Sequence, residues 1–277
     1  MIYLVTAMHC EARPLIEHYG LKRADEYRPF QVFAGEGVAL IITGMGKMKS
    51  AVATASLLAR GNGGSEDLAV NIGICGSRNR QVELATPILA HQIIDGETDE
   101  RFFPDLLFDH RLFEGTLETH HRIILQEDIG RLRADFVDME ASGFYQACQP
   151  YLAPHQIHVI KIVSDYLEPE GLHKDFISSC ISKNLDSIGE FIKRAAAFCK
   201  NHKEPLSEEE KGRLDALKEH LRLTVTQTHQ LFRLARNYKI RTGRSLPSFD
   251  ELMESRVRVK EERQRAYDRL QSLLSGE

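Results

Sequence analysis

The chain has 277 residues, of which 42% are hydrophobic and 27% are charged, with a formal net charge of −4. This composition is ordinary for a folded globular protein and argues against wholesale disorder. The negative charge argues against a general nucleic-acid binder. No stretch approaches the roughly 18 unbroken apolar residues that a membrane helix needs. We therefore predict neither a nucleic-acid partner nor a membrane partner.

The N-terminal apolar run, Met1–Met8, has no basic leader and meets Glu11 and Arg13 almost at once. This pattern favours a buried first strand over a signal peptide. The five cysteines are odd in number and form no CxxC pair. Such thiols are typical of reducing compartments, so we predict mostly buried, reduced cysteines in a cytoplasmic protein.

Charge divides the chain into two parts. From Pro205 onward there are 15 Lys and Arg residues against 12 Asp and Glu residues, so this part carries about +3 and the remainder about −7. An acidic body with a mildly basic tail indicates two modules. We predict an α/β domain over residues 1–204 and a helical hairpin extension over residues 205–277.

One pattern repeats up to Cys199: a β-branched apolar run, a glycine or acidic turn, and then a helical stretch. The predicted strands are Ile2–Met8, Val38–Thr43, Leu68–Ile74, Val82–Ile94, Ala134–Met139 and His158–Val163. Apolar runs that alternate with helices indicate a sheet covered by helices on both faces, so we predict an α/β fold. Residues 95–121 lack a clear period and are predicted to be a loop-rich excursion, either a lid or a tolerated insertion.

The tail is predicted to be helical. Ser207 and Glu210 are spaced as a capping box, and an apolar stripe at i+3 and i+4 spacings runs from Leu214 to Tyr238. After a turn, a last helix reaches about Leu274. Such a hairpin is most often a packing or dimerisation element, so the tail is a candidate for a subunit interface.

Three acidic residues lie at the ends of predicted strands, where α/β sheets build their sites. Glu11 follows the first strand, Glu140 opens a helix after Ala134–Met139, and Asp165 ends the strand that begins near His158. Each could simply cap the next helix. Gathered around one site, however, carboxylates suit the recognition of sugar hydroxyls, the activation of water and the protonation of a leaving group.

Two glycine turns also follow predicted strands. Gly44-Met45-Gly46-Lys47 resembles a phosphate-binding turn but lacks the third glycine of the dinucleotide fingerprint and the length of a P-loop. The alternative is a tight turn that lets the next helix approach the sheet. In Gly73-Ile74-Cys75-Gly76-Ser77, the glycines allow close backbone approach by a ligand.

Two other kinds of chemistry lack the partner residues that they would need. Cys75 as a nucleophile would need a neighbouring general base, and none is identifiable. The histidine pairs His120-His121 and His155/His158 have no cysteine or carboxylate partners at metal-site spacing. We therefore predict no metal site.

Five segments, taken together, resemble a known family. They are Ala7-Met8-His9-Cys10-Glu11, Gly44-Met45-Gly46-Lys47, Asn71-Ile72-Gly73-Ile74-Cys75-Gly76-Ser77, Val137-Asp138-Met139-Glu140-Ala141 and Ile162-Val163-Ser164-Asp165. In this order they resemble the methylthioadenosine/S-adenosylhomocysteine nucleosidase branch of the purine nucleoside phosphorylase superfamily. The resemblance covers about residues 1–200 and implies a single three-layer α/β domain with a central mixed sheet, usually a homodimer or higher oligomer.

The resemblance implies hydrolysis of the N-glycosidic bond of a purine-type nucleoside, with a 5′-thioether adenosine as one candidate. Catalytic roles fall to Asp165, which would hydrogen-bond or protonate N7 of the base, and to Glu11, which would orient or deprotonate the attacking water. The substrate-binding roles fall to Glu140 and Met139 at the ribose, Ser164 beside the acid, and Cys75 and Gly76 in the cavity wall. Because water is the nucleophile, the resemblance implies no cofactor.

The sequence departs from the family pattern at the base pocket. A Gly-Asp-aromatic stretch that helps enclose the base is not recognisable, and Glu118-Thr119-His120-His121-Arg122 lies roughly there. Two alternatives therefore stay open. One is a phosphorylase, for which Arg78 and Arg80 could supply a phosphate site. The other is a non-catalytic protein that binds a nucleoside and assembles through its tail.

Overall fold

The computed structural model describes residues 1–61, 64–201, 205–254 and 260–275. The chain divides into two compact units, Met1–Asn201 and His202–Glu277. Within the described ranges, no helix has both the length and the apolar character needed to cross a bilayer.

The first unit is built on a mixed ten-stranded sheet. Its strands are β1 (Ile2–Thr6), β2 (Lys22–Arg23), β3 (Gln31–Gly35), β4 (Val38–Ile42), β5 (Leu68–Ser77), β6 (Pro87–Asp95), β7 (Arg101–Phe102), β8 (Phe113–Thr119), β9 (Phe136–Asp138) and β10 (Ile157–Asp165). The strand order is β10-β6-β8-β9-β5-β1-β4-β3-β2, and β7 pairs with β6. Strand β10 also pairs with β5 in parallel, while it pairs with β6 in the antiparallel sense.

Helices cover both faces of this sheet. They are α1 (His9–His18), α2 (Lys47–Leu58), α3 (Ala141–Cys148), α4 (Lys174–Lys183) and α5 (Leu185–Asn201). One apolar core includes Leu57 and Phe144 from α2 and α3, and a second includes Leu15 and Phe191 from α1 and α5. The prediction of a three-layer α/β domain with a central mixed sheet is therefore confirmed.

Several boundaries differ from those predicted. Residues 113–119, expected in a loop, form β8 in the middle of the sheet; this strand is rich in polar residues, and its Glu118 and Thr119 are buried with hydrogen-bond partners. The helical stretch that follows the last predicted strand is broken at Asn184 into α4 and α5, and the Asn184 side chain donates to the carbonyl oxygens of Ala85 and Cys180. Both differences arise where a side chain satisfies buried polar groups that periodicity does not reveal.

The pairing between β5 and β10 contains a bulge at the carboxyl end. Val163 pairs with Cys75, and Asp165 pairs with the very next residue, Gly76, so that Ser164 is an extra residue in β10. A bulge bends a strand and re-aims the side chains beside it. Here it lies where β10 delivers two of the predicted site residues.

The second unit is a group of helices with its own apolar core. They are α6 (Glu208–Leu221), α7 (Val225–Thr242), α8 (Asp250–Glu254) and α9 (Lys260–Ser275). The predicted C-terminal helices and the capping box of Ser207 and Glu210 are confirmed. The continuous stripe predicted from Leu214 is not, because the chain turns at Arg222, which has φ +53°, and Thr224 caps a new helix.

Candidate active site

The structure brings all seven predicted site residues to one cavity of about 300 Å³. They are Glu11, Cys75, Gly76, Met139, Glu140, Ser164 and Asp165. The cavity opens at the carboxyl ends of the parallel strands β1, β5 and β10, and β9, which runs antiparallel to β5, brings Met139 and Glu140 to the same place. Glu11 does cap α1 by accepting the amide of Met8, but capping alone does not explain why all three carboxylates line one cavity.

Glu11 is held rigidly in the first turn of α1. Its Oε2 atom accepts hydrogen bonds of 2.9 Å from the backbone amides of Ala7 and Met8, and its Oε1 accepts one of 3.1 Å from the amide of Ile74 in β5. The carboxylate can approach β5 because residue 73 is a glycine: a Cβ atom there would lie 2.8 Å from Glu11 Oε1. Glu11 is thus fixed by three backbone donors at the floor of the cavity.

Glu140 is held by the glycine turn before α2. Gly44 and Gly46 have φ angles of +83° and +105°, which side chains rarely tolerate, and the amide of Gly46 donates to Glu140 Oε1 at 3.0 Å. The adjacent Lys47 is engaged by Asp95 at 2.8 Å. The turn therefore serves as a tight turn that binds a carboxylate of the protein, and its lysine is occupied.

Lys161, which sequence reasoning missed, lies between the carboxylates. Its Nζ atom is 2.9 Å from Asp138 Oδ2 and 3.4 Å from Glu140 Oε2, and the side chain is only 2% exposed. A Cβ atom on residue 73 would come within 3.3 Å of the same nitrogen, so the lysine lies on the same side of β5 as Glu11. The signal was present in the sequence, since a lysine inside an apolar strand buried on both faces requires a charged partner.

Asp138, also missed as a site residue, is the hub of this cluster. Its Oδ1 accepts from Thr119 Oγ1 at 2.7 Å, and its Oδ2 accepts from the backbone amides of Glu140 and Ala141 at 3.2 and 2.9 Å. Together with the ion pair to Lys161, these bonds satisfy both carboxylate oxygens. Asp138 therefore fixes the start of α3 and the position of the lysine at once.

Burial dominates the electrostatics of the cluster. It raises the pKa of Glu11 from an ordinary value of 4.5 to about 7; Lys161 opposes this shift and Glu140 adds to it. Burial likewise raises the pKa of Glu140, again against the influence of Lys161. Burial alone would lower the pKa of Lys161, but Asp138, Glu140 and Glu11 outweigh it and raise that pKa. The cluster thus keeps its lysine charged and makes protonation of a glutamate accessible near neutral pH.

Asp165 lies at the other end of the cavity, beside the bulge. Ser164 Oγ is 2.7 Å from Asp165 Oδ2 and 3.1 Å from the carbonyl oxygen of Cys75. A Cβ atom on Gly76 would lie 3.4 Å from Asp165 Oδ1 and 2.9 Å from Leu167, so the glycine leaves room for the carboxyl group. Cys75 itself is buried, and burial raises the pKa of its thiol, which does not suit a nucleophile.

The two arginines considered for a phosphate site are engaged elsewhere. Arg78 pairs with Asp135 at 2.9 Å and donates to the carbonyl oxygen of Leu132 at 2.8 Å. Arg80 pairs with Glu168 at 2.5 Å. Neither is among the described residues that line the cavity. The placement of these arginines does not support a phosphate site beside the carboxylates.

Comparison with known proteins identifies the fold. A family model described as the phosphorylase superfamily matches residues 2–124. The solved structure of 5′-methylthioadenosine/S-adenosylhomocysteine nucleosidase from Neisseria meningitidis has a TM-score of 0.59 and 20% identity, covering 70% of this chain and 98% of that chain. The chain has the phosphorylase-superfamily fold.

Two further solved structures with this fold are similar to the chain to about the same degree. The 5′-methylthioadenosine/S-adenosylhomocysteine nucleosidase from Helicobacter pylori has a TM-score of 0.56 and 16% identity, covering 70% of this chain and 97% of that chain. Futalosine hydrolase from Helicobacter pylori has a TM-score of 0.54 and 17% identity, with the same two coverages. No curated protein sequence matches the chain. The resemblance predicted from five short segments is thus confirmed at the level of the fold.

Proposed function

We propose that the protein hydrolyses the N-glycosidic bond of a purine-type nucleoside and releases the free base. The observation that carries this proposal is that Glu11, Glu140 and Asp165 line one cavity of about 300 Å³. The similar solved structures include nucleosidases and a futalosine hydrolase, which supports the same reaction class.

The two ends of the cavity match the two halves of such a substrate. At one end, Glu140 binds the ribose hydroxyls, with Met139 packed beside the sugar. At the other end, Asp165 protonates the departing base, so that no negative charge leaves with it. The sugar left behind has oxocarbenium character, which the surrounding carboxylates stabilise electrostatically.

Glu11 positions or deprotonates the attacking water in this proposal. Its carboxylate is held by three backbone amides, and burial raises its pKa to about 7. A general base works best when its pKa lies near the operating pH. Lys161 offsets the repulsion between Glu11 and Glu140, which makes it a positioning residue.

Water is favoured over phosphate as the nucleophile. The cavity is lined by four carboxylic residues, namely Glu11, Asp138, Glu140 and Asp165. An inorganic phosphate placed among them would meet like charge, which is costly in a partly desolvated site. Phosphorolysis would require a cation beside the ribose that is not already paired.

We further propose a homodimer or higher oligomer in the cytoplasm. Met45 lines the cavity, and Met48 and Val52 continue from it along α2; all three are more than half exposed. An exposed apolar stripe at a cavity mouth suits an interface, and a second copy of this chain would cover it. All five cysteines are unpaired, as reducing compartments favour.

The deciding experiment offers purified protein a panel of nucleosides, with and without inorganic phosphate, and measures free base by chromatography. We expect release without phosphate, and we expect Glu11→Gln to reduce it strongly. Release that depends on phosphate would make the protein a phosphorylase. Binding of nucleosides without any release would support the non-catalytic alternative.

A further inference from the structure

Arg122 is the one cationic side chain among the described residues that line the cavity. Its Nη1 and Nη2 atoms lie 2.9 and 2.6 Å from the two carboxylate oxygens of Asp128, and Nη1 also donates to the carbonyl oxygen of Ile123 at 3.1 Å. A guanidinium clamped in this bidentate way has a fixed plane. It still has more N–H donors than these bonds use.

The segment that follows Arg122 reaches the residues next to Asp165, since the side chain of Gln126 donates to the carbonyl oxygen of Tyr166. Ile124 packs in one apolar cluster with Val137 and Leu167. Through Gly76, Leu167 adjoins the carboxyl group of Asp165. This apolar cluster therefore forms the wall against which a base can pack beside both Arg122 and Asp165.

The hydrogen-bonding groups on one edge of a purine determine which bases Arg122 and Asp165 can bind together. N7 and the substituent at C6 lie on the same edge, and that substituent accepts hydrogen bonds when it is a carbonyl and donates them when it is an amine. A guanidinium only donates. When Asp165 meets N7, a neighbouring Arg122 complements a carbonyl at C6 and opposes an amine.

The backbone beside Arg122 also disfavours an amine at C6. The carbonyl oxygen of Ile123 lies in a residue that lines the cavity, and it is an acceptor that an exocyclic amine could use. It already accepts from Arg122. Resting on the function proposed above, we propose that the cavity selects nucleosides of 6-oxopurines over those of 6-aminopurines, with Arg122 as the specificity-determining residue.

The experiment compares kcat/KM for inosine and adenosine, which differ at C6. The wild-type protein is expected to prefer inosine by about 10- to 100-fold, the range for one hydrogen bond to a charged group. In Arg122→Met the preference falls to within about threefold. Arg78→Met is the matched control, because Arg78 also binds a carboxylate and a backbone carbonyl but does not line the cavity; it keeps the wild-type preference.

Equal or faster cleavage of adenosine by the wild-type protein overturns the proposal, as does an Arg122→Met variant that still prefers inosine. The ratio of kcat/KM for inosine and adenosine in the wild-type protein tests the selection of 6-oxopurines even if the variant does not fold. If neither nucleoside is cleaved and the wider panel also yields no free base, the proposed hydrolase function fails, but specificity is still measured by calorimetric titration with free hypoxanthine and adenine. Tighter binding of hypoxanthine supports the selection of 6-oxopurines, and equal or tighter binding of adenine refutes it.

Discussion

The ammonium nitrogen of Lys161 lies 2.9 Å from Oδ2 of Asp138, and both side chains are almost completely buried. Glu140 is 3.4 Å from the same nitrogen, and Glu11 also influences it electrostatically. One cation thus balances three buried carboxylic groups. The site keeps its geometry because this charge is present.

Replacing Lys161 with methionine should destabilise the protein strongly. The change leaves three acidic groups buried without a cation, and breaking a buried ion pair on one side costs about 3–5 kcal/mol. The free energy of unfolding, measured by urea denaturation at neutral pH, should fall by that amount, and the loss should shrink as acid protonates the glutamates. Lys183→Met, at an exposed helix position, should stay within about 0.5 kcal/mol of wild type. A stable Lys161→Met protein at neutral pH would contradict the electrostatic account.

Asp165→Asn should abolish base release with little effect on stability. The amide cannot donate the proton that the departing base needs, and general acid catalysis is worth about 10²- to 10⁴-fold. Free base measured by chromatography reports the loss, and the melting temperature reports the fold. Asp135→Asn is a matched control, because Asp135 pairs with Arg78 outside the cavity. Full activity in Asp165→Asn would refute the assignment of the acid.

The pH dependence of stability should carry a contribution from Glu11. Its pKa is raised from 4.5 to about 7 in the folded state, so the folded protein binds the proton more tightly than the unfolded chain does. The associated stability is complete below pH 4.5 and is lost as pH rises through about 7. It amounts to roughly 3 kcal/mol at 1.36 kcal/mol per pKa unit.

The Glu11 contribution is isolated by comparing wild type with Glu11→Gln at each pH. His158 acts in the opposite sense, since burial lowers its pKa to about 3 and stability is lost as pH falls; this contribution is common to both proteins and cancels. The difference in unfolding free energy should change between pH 4.5 and about 7. A flat difference would mean that Glu11 does not bind a proton in this range. In the wild type, kcat/KM should rise with pH through the same range, because the base must be ionised.

Gly73→Ala should impair both folding and catalysis. The new Cβ atom would lie 2.8 Å from Glu11 Oε1 and 3.3 Å from Lys161 Nζ, and overpacking of a buried site costs about 1–3 kcal/mol. The melting temperature and the rate of base release should fall together. Gly212→Ala is the control, because a Cβ atom there meets nothing within 4 Å and alanine favours the helix. Wild-type activity in Gly73→Ala would show that the carboxylate can move without penalty.

A chain ending at residue 204 should fold and keep its activity. The first unit contains both cores that cover its sheet, and the seven predicted site residues all lie within it. Cooperative thermal unfolding, base release and sedimentation compare it with the full chain. Unchanged catalysis with altered self-association would support an assembly role for the helical extension. An insoluble or non-cooperative product would make residues 205–277 part of the folding unit.

Sequence reasoning recovered the parts of the fold in which burial is continuous. Strands β1, β4, β5 and β10 are almost wholly buried, so their apolar runs are unmistakable, and Glu11 and Asp165 follow because β1 and β10 end at one edge of the sheet. Strand β8 was missed because its polar residues are paired inside the fold. Pairing of this kind depends on neighbours that are distant in sequence, such as Arg133 for Glu118.

The candidate site was only partly predictable for the same reason. Glu11 and Asp165 follow strands that the sequence pattern predicts. Lys161 lies in the middle of a strand, and its place in the site depends on an ion pair with Asp138 on another strand. The role of Arg122 is less visible still, because it depends on a clamp by Asp128 and on contacts between two separate loops. Local sequence patterns do not predict roles that depend on partners distant in the sequence.

The extra residue in β10 has a consequence for engineering. In a regular strand, consecutive side chains point to opposite faces, yet Ser164 and Asp165 meet at 2.7 Å because the bulge turns them together. A substitution at either position changes one group and leaves the backbone path intact. Deleting Ser164, the one residue between Val163 and Asp165, would straighten the strand and remove the hydrogen-bond partner of Asp165. The number of residues in β10 therefore sets the geometry of this pair, and a redesign that trims the strand to ideal geometry would remove the alignment on which the proposed proton donation depends.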